Sequence, residues 1–178
     1  AKIQFFNNKK IVKITKNKKQ KIFASYSLVK TMRAGILVLG PLIAKHNKSI
    51  TSFPGGCVLN GNSGRPIDYH LFGLKKLGMK YELKKGYIHA TAKNGLKGNN
   101  AKINLNLSVG ASENLIIAST ICNGTVTLHR CAIEPEVKEL VVFLNSAGAN
   151  IKWIGKRTLK IIGVKKLNST SYSISGDR

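Results

Sequence analysis

The chain has 178 residues and is 43% apolar, enough for one good core or two small ones. Its longest apolar run, 34–44, is too short for a bilayer, contains Pro41 and lacks a cleavage site downstream, which argues against a membrane span and a signal peptide. The formal charge is +23, but Lys supplies 25 of the 30 basic residues and Arg only five, so a base-reading nucleic-acid binder is disfavoured.

Lys is spread along the chain beside many Asn and Ile, the mark of a compositional drift. The Lys-dense run 9–21 reads as a solvated hairpin and loop. Three cysteines, an odd number without metal-ligand spacing, fit a reducing compartment, and a cytoplasmic location is expected. The chain does not begin with Met and opens on strand-like residues, as a fragment or a processed product would.

In chain order, the alternating residues 1–6 and 11–14, joined by a turn at Asn7-Asn8, predict a two-strand hairpin. A helix is expected over about 28–45; its stretch Ile36-Leu37-Val38-Leu39, then Leu42-Ile43, is apolar nearly all round and therefore buried. A strand over 49–53 follows, then the loop from Pro54 to Arg65, where five of twelve residues are Gly or Pro. After Pro66, Leu71, Leu74 and Leu77 share a helical face that Gly78 stops. A hairpin over 78–90 comes next.

The same series then recurs. A lead-in strand over 101–107 precedes a helix over about 109–122 and a strand over 125–129. After Pro135, Val137, Leu140, Val141 and Leu144 share a helical face that Gly148 stops, and a hairpin over 148–161 closes the series. The unit is thus βαβαββ, present twice nearly complete, with the first hairpin as the tail of a third. Apolar-all-round helices and alternating hairpins imply helices inside and sheets outside.

Cys122 lies in an apolar run and Cys131 follows a strand, so both read as structural. Cys57 sits among turn-formers. Its residues alone leave two readings open: a reachable thiol whose pKa Arg65 and Arg33 would lower, or a small residue tolerated in a turn. Ser108 is a helix cap, and Ser108 to Ser112 would make an anion site or a plain helix start. Glu134 and Glu136 flank Pro135 at a helix start, where the helix dipole favours acids whatever the function. The four histidines have no metal spacing, and there is no P-loop, dinucleotide fingerprint or serine nucleophile elbow, so no cofactor or metal is expected.

The stretches Leu28-Val29-Lys30-Thr31-Met32-Arg33-Ala34, Leu39-Gly40-Pro41-Leu42, Pro54-Gly55-Gly56-Cys57 and Arg65-Pro66-Ile67-Asp68-Tyr69-His70 occur in that order. Gly86-Tyr87-Ile88, Leu96-Lys97-Gly98, Ser108-Val109-Gly110-Ala111, Glu134-Pro135-Glu136 and Asp177-Arg178 follow. Together they closely resemble the UDP-N-acetylglucosamine 1-carboxyvinyltransferase family of enolpyruvyl transferases over essentially the whole chain. The sister family of the shikimate pathway shares the fold but lacks the Pro-Gly-Gly-Cys loop. The resemblance implies an α/β fold, an inside-out α/β barrel of βαβαββ units. This chain would be one incomplete domain: the tail of one repeat at 1–24, a second at about 25–92, a third at about 93–174, and the start of a linker at 175–178.

The resemblance further implies transfer of enolpyruvyl from phosphoenolpyruvate to the 3′-hydroxyl of UDP-N-acetylglucosamine, in peptidoglycan synthesis. Cys57 would be the proton donor, able to form an adduct with phosphoenolpyruvate and open to fosfomycin. Arg33 would bind anionic substrate groups. Arg65, Pro66, Ile67, Asp68 and Tyr69, and then Asn106, Leu107, Ser108 and Val109, would contact the nucleotide sugar. The chain departs from the pattern in three places: three extra residues between Cys57 and Arg65, Asn106 in place of a Lys, and Ile133 in place of an Arg. A Lys-Asn pair, a catalytic Asp and a further Arg of the family would lie outside this chain, so the isolated chain is expected to be inactive without a second domain or chain. Two other readings stay open: a non-enzymatic remnant of a split or decaying gene and, ranked below it, a basic nucleic-acid-binding module.

Overall fold

The computed structural model describes residues 2–7, 11–15, 21–29, 31–53, 57–58 and 65–175. Of Lys2, Ile11, Arg33, Cys57, Val58, Arg65 and Pro66 it describes the backbone. The turn residue Asn8, part of the Lys-rich run, Pro54-Gly55-Gly56, the loop 59–64 and Asp177-Arg178 lie outside the described residues.

Strands β1 (Lys2–Phe6) and β2 (Ile11–Thr15) pair antiparallel as the first hairpin. Ile3 faces Ile14 and Phe5 faces Val12 in register, and all four side chains are exposed. Alternation therefore yields one apolar face here, and no described element covers it.

The next unit runs β3 (Phe23–Ala24), α1 (Tyr26–Val29), a 3₁₀ turn (Arg33–Val38), α2 (Leu39–His46) and β4 (Lys48–Ser52). A short parallel pair follows, β5 (Cys57–Val58) with β6 (Arg65–Pro66), then α3 (Asp68–Lys76), β7 (Lys80–Lys84) and β8 (Tyr87–Thr91). The last unit is β9 (Ala101–Asn104), α4 (Val109–Thr120), β10 (Thr125–His129), α5 (Pro135–Ser146), β11 (Asn150–Gly155) and β12 (Thr158–Ile162). The two four-stranded sheets have one topology. Their orders are β3-β4-β8-β7 and β9-β10-β12-β11, with the first pair parallel and the other two antiparallel. Both hairpins follow glycines in the left-handed region, Gly78 and Gly148, each at φ 93°, where the preceding helix ends.

The expected single helix over 28–45 is corrected to three pieces, and a side chain accounts for the last break. In a continuous helix the Gly40 N–H would donate to the Ile36 carbonyl. Instead the amide of Asn114 is inserted between them. Gly40 N–H donates to Asn114 Oδ1 at 2.9 Å, and Asn114 Nδ2 donates to the Ile36 carbonyl at 3.2 Å. A side chain placed in the ladder in this way breaks or bends a helix. Position 40 must be Gly, because a Cβ there would fall on Asn114 Oδ1. Pro41 follows in the first turn of α2, where its missing N–H costs nothing.

The lead-in strand expected over 101–107 also ends early, at Asn104. Asn104 Oδ1 accepts from the Asn106 N–H at 3.0 Å, and Asn106 and Leu107 then turn through left-handed conformations at φ 48° and 63°.

The core lies between the helices and the inner faces of the sheets. Helix α4 is its axis: eight of its twelve residues are buried, and it packs on the 3₁₀ turn, α2, α3, α5 and β12. Ile88, Ala90, Ile103, Val126, Leu128, Leu159 and Ile161 face it from the strands. The outward positions of β7 and β11 are exposed, so helices are inside and alternating strands outside. Cys122 and Cys131 are buried, and burial pushes both thiols up in pKa, Cys131 to about 12. Among the described residues no helix is long and apolar enough to cross a membrane.

Candidate functional site

Two segments singled out in the sequence meet at one end of the buried helices. Helix α3 begins at Asp68, so Ile67, Asp68 and Tyr69 lie at its start. Ile67 is buried, while Asp68 and Tyr69 are half-buried. The turn after β9 carries Asn106, Leu107 and Ser108 to the start of α4, with Asn106 and Leu107 exposed. Asn106 Nδ2 donates to the Tyr69 hydroxyl at 2.6 Å and ties the two segments together. Asp68, Tyr69, Phe72, Asn104 and Asn106 line an open hollow of about 530 Å³ beside this bond.

Ser108 caps α4. Its Oγ accepts from the Ala111 N–H at 3.3 Å, and its carbonyl accepts from Ser112 Oγ at 2.7 Å. The cap leaves the Val109 and Gly110 N–H groups, in the first turn, without a carbonyl inside the helix. They point along the positive end of the helix dipole, where an anion is favoured. The segment is carried by Leu107, whose N–H donates to the Arg130 carbonyl at 2.8 Å.

Cys57 and Arg65 are register partners in the short β5–β6 pair, as are Val58 and Pro66. The backbone thus sets Arg65, the first residue of the segment 65–69, opposite Cys57. Arg33 opens the 3₁₀ turn. Its Ile36 carbonyl end is held through Asn114 to α4, and Asn114 Nδ2 also donates to His70 Nδ1, at 3.0 Å, on α3. One fully buried amide therefore ties together the three elements that carry Arg33, Asp68–Tyr69 and Ser108–Val109.

His70 and Asn114 were not singled out by sequence reasoning as site residues. His70 stood only as the last residue of a motif. Asn114 was one polar residue in an apolar helix, and the signal for it was the pairing of that polar position with a glycine at 40. His70 is buried, and loss of solvent lowers its pKa to about 4, so its imidazole is neutral. Glu134, expected at a helix start, does cap α5 by position, but its side chain makes no capping bond and its Oε2 is buried without a partner. Among the described residues no group of three or more His, Cys, Asp and Glu could hold a metal ion.

Comparison with known proteins places this geometry. The family described as EPSP synthase (3-phosphoshikimate 1-carboxyvinyltransferase) matches residues 1–178. The chain is 55% identical over 172 residues to the UDP-N-acetylglucosamine 1-carboxyvinyltransferase of Pelagibacter ubique, covering 97% of this chain and 40% of that protein. It is 48% identical over 160 residues to the protein of the same name from Coxiella burnetii, covering 89% of this chain and 36% of that one. The chain thus spans about two fifths of the length of these relatives. Among solved structures, the enolpyruvyl transferase NikO of Streptomyces tendae superposes with a TM-score of 0.63 at 21% identity, over 79% of this chain and 32% of that one. An EPSP synthase of Acinetobacter baumannii superposes with a TM-score of 0.56 at 18% identity, over 78% of this chain and 30% of that one. These two likenesses speak for the fold. With its whole length matched, and with relatives named UDP-N-acetylglucosamine 1-carboxyvinyltransferase, this chain belongs to the EPSP synthase family of enolpyruvyl transferases.

Proposed function

We propose that this chain is the catalytic-loop part of an enzyme that transfers enolpyruvyl from phosphoenolpyruvate to the 3′-hydroxyl of UDP-N-acetylglucosamine, in peptidoglycan synthesis. The observation that carries the reading is the meeting of the two nucleotide-sugar segments at the Asn106–Tyr69 bond, beside the start of α4. The names of the relatives support the same substrate.

In this reading the diphosphate lies against the first turn of α4, and Arg65 to Tyr69 with Asn106 to Val109 hold the nucleotide. Arg33 receives anionic substrate groups. Cys57, brought opposite Arg65 by the β5–β6 register, gives a proton to the methylene carbon of phosphoenolpyruvate. The sugar hydroxyl attacks the neighbouring carbon and gives its proton to a base from outside this chain. A tetrahedral intermediate forms, then loses phosphate from that carbon and returns a proton from the methyl to the Cys57 thiolate, restoring the double bond. Asn106, standing where the family has a Lys, keeps the bond to Tyr69 but brings no charge to the substrate.

The chain is one incomplete domain of an inside-out barrel, with repeats at 1–24, about 25–92 and about 93–174 and a linker starting at 175. Its place of action is the cytoplasm. With part of a two-domain cleft it binds nucleotide sugar but does not close around both substrates. Calorimetric titration with UDP-N-acetylglucosamine tests the first half: measurable binding is expected, and its absence would sink the reading. A phosphate-release assay with both substrates tests the second: the chain alone gives no turnover. Turnover lost in Cys57→Ala would overturn the claim of inactivity while supporting the role of Cys57. Fosfomycin is expected to add its mass to Cys57 alone, read by peptide mass spectrometry.

A further inference from the structure

Charge is divided between the layers of the fold. Of the seven carboxylates, five lie on helices or at a helix start: Asp68 on α3, Glu113 on α4, and Glu134, Glu136 and Glu139 at α5. The outer face of the sheet β3-β4-β8-β7 is basic instead. Ser49, Thr51, Ile88 and Ala90 are buried on its inner side, so Lys48, Ile50, Tyr87, His89, Lys80, Glu82 and Lys84 stand on the outer one. Register sets Lys48, Thr91 and Lys80 in one row, and Phe23, Ile50, His89 and Glu82 in the next. Lys85 follows in the turn, at φ 50°. A compositional drift adds lysines everywhere, but it does not move carboxylates to the helices.

The same face holds a recess. Phe23, Ile50, Lys84, Lys85, Tyr87 and His89 line a hollow of about 280 Å³. The solvated face of a sheet is ordinarily polar. Here the Phe23 and Tyr87 rings stack, with centroids 5.4 Å apart and 27° between their planes. The Tyr87 hydroxyl accepts from the Tyr26 N–H at 3.3 Å, which fixes that ring. Phe23 is 47% exposed, so part of its ring stays uncovered. A fixed ring beside lysines suits a ligand with a flat apolar body and repeated negative charge. Single-stranded nucleic acid has both: its unpaired bases are free to stack, and its phosphates take point charges in place of the forked guanidinium that base reading uses. A bilayer surface needs apolar residues that protrude, whereas these line a recess. The Lys-dense run 9–21 leads directly into β3 in sequence.

We propose that this face binds single-stranded nucleic acid without sequence preference, one base stacking on Phe23 in the hollow while neighbouring phosphates lie along Lys84 and Lys85. The nucleotide-sugar segments take no part, since they stand at the starts of α3 and α4 and not on the outer side of this sheet. The other sheet supplies a control. Its outer face carries Lys102, Thr127, Lys160 and Lys152 in one row, cations without a ring among them.

Fluorescence anisotropy of a short labelled oligouridylate, titrated with the whole chain at several salt concentrations, tests this. Phe23→Ala is expected to weaken binding about tenfold at every salt concentration, the usual effect of losing one stacked base. Phe23→Leu, which keeps the apolar bulk, weakens it too. Lys84→Gln with Lys85→Gln lowers the slope of log affinity against log salt by about 1.4, the value for two phosphate contacts on a single strand. Lys152→Gln with Lys160→Gln removes the same charge and leaves the affinity nearly unchanged. Equal losses from the two lysine pairs, unchanged binding by Phe23→Leu, or a duplex of the same length bound as tightly would reveal charge attraction alone and overturn the site. No binding of the oligouridylate by a chain that sediments with phosphatidylglycerol vesicles would overturn it, as would displacement of the oligouridylate by UDP-N-acetylglucosamine.

Discussion

A single buried amide organises the candidate site at the level of residues. Asn114 satisfies three groups on three other elements, and truncating it leaves the Gly40 N–H, the Ile36 carbonyl and His70 Nδ1 unpaired in the core. Unsatisfied buried groups cost about 1–3 kcal/mol each, so Asn114→Ala is expected to lower stability by about 3 kcal/mol or more in urea unfolding. His70 sets a pH dependence. Its folded pKa of about 4 lies below the unfolded value of 6.5, so the unfolded chain binds more protons between these values. Stability from the neutral ring is thus complete above pH 6.5 and lost as pH falls toward 4. The shift corresponds to about 3 kcal/mol. Urea midpoints at pH 7 and pH 4 check this, and His70→Phe should flatten the difference. Cys122 and Cys131, buried and held protonated, should resist a thiol reagent at neutral pH. Labelling before and after denaturation checks that, with Cys57 the thiol expected to react in the native chain.

Elements show how close packing overrides local propensity. The apolar stretch 36–43 predicts one helix, and its composition supports that. What breaks it is the side chain of a residue more than seventy positions away, entering from α4. Gly40 and Gly78 should therefore behave differently when replaced by Ala. Gly78→Ala meets no neighbouring atom, and its cost is the left-handed conformation at φ 93°, about 1 kcal/mol. Gly40→Ala collides with Asn114 and must displace the amide, so a loss of several kcal/mol is expected. Thermal unfolding of the two variants side by side distinguishes conformational from packing cost. Helix starts and stops, by contrast, were legible: Pro135 opens α5, Gly78 and Gly148 follow helix ends, and Ser108 caps α4 through its side chain.

Over the whole molecule, two sheets of one topology share one core with α4, and a second hollow opens beside that helix. Leu37, Ile117, Leu140, Phe143, Tyr172 and Ile174 line it with Glu113, Glu136 and Glu139, in a volume of about 470 Å³. Burial, and then the charge of Glu136, raises the pKa of Glu113. A carboxyl with a raised folded pKa binds more protons folded than unfolded, so stability declines as pH rises above the ordinary carboxylate value. Glu113→Gln should therefore raise the unfolding temperature at pH 7, and not at pH 4. Solvent at this half-buried position keeps the gain small.

Periodicity and punctuation in the sequence determined the element order, the repeat of βαβαββ units and the placing of helices inside. Those features follow from which residues must leave water, and that is written locally in the spacing of apolar and turn-forming residues. The motif resemblance likewise determined the family and the segments to examine. The tertiary structure alone decided that Tyr69 and Asn106 touch, that Cys57 stands in register with Arg65, and that Asn114 splits one predicted helix while bonding to His70. Each of these depends on hydrogen bonds between residues distant in the chain, or on a strand register across a loop, and a buried polar group's partner is not encoded by its neighbours in sequence.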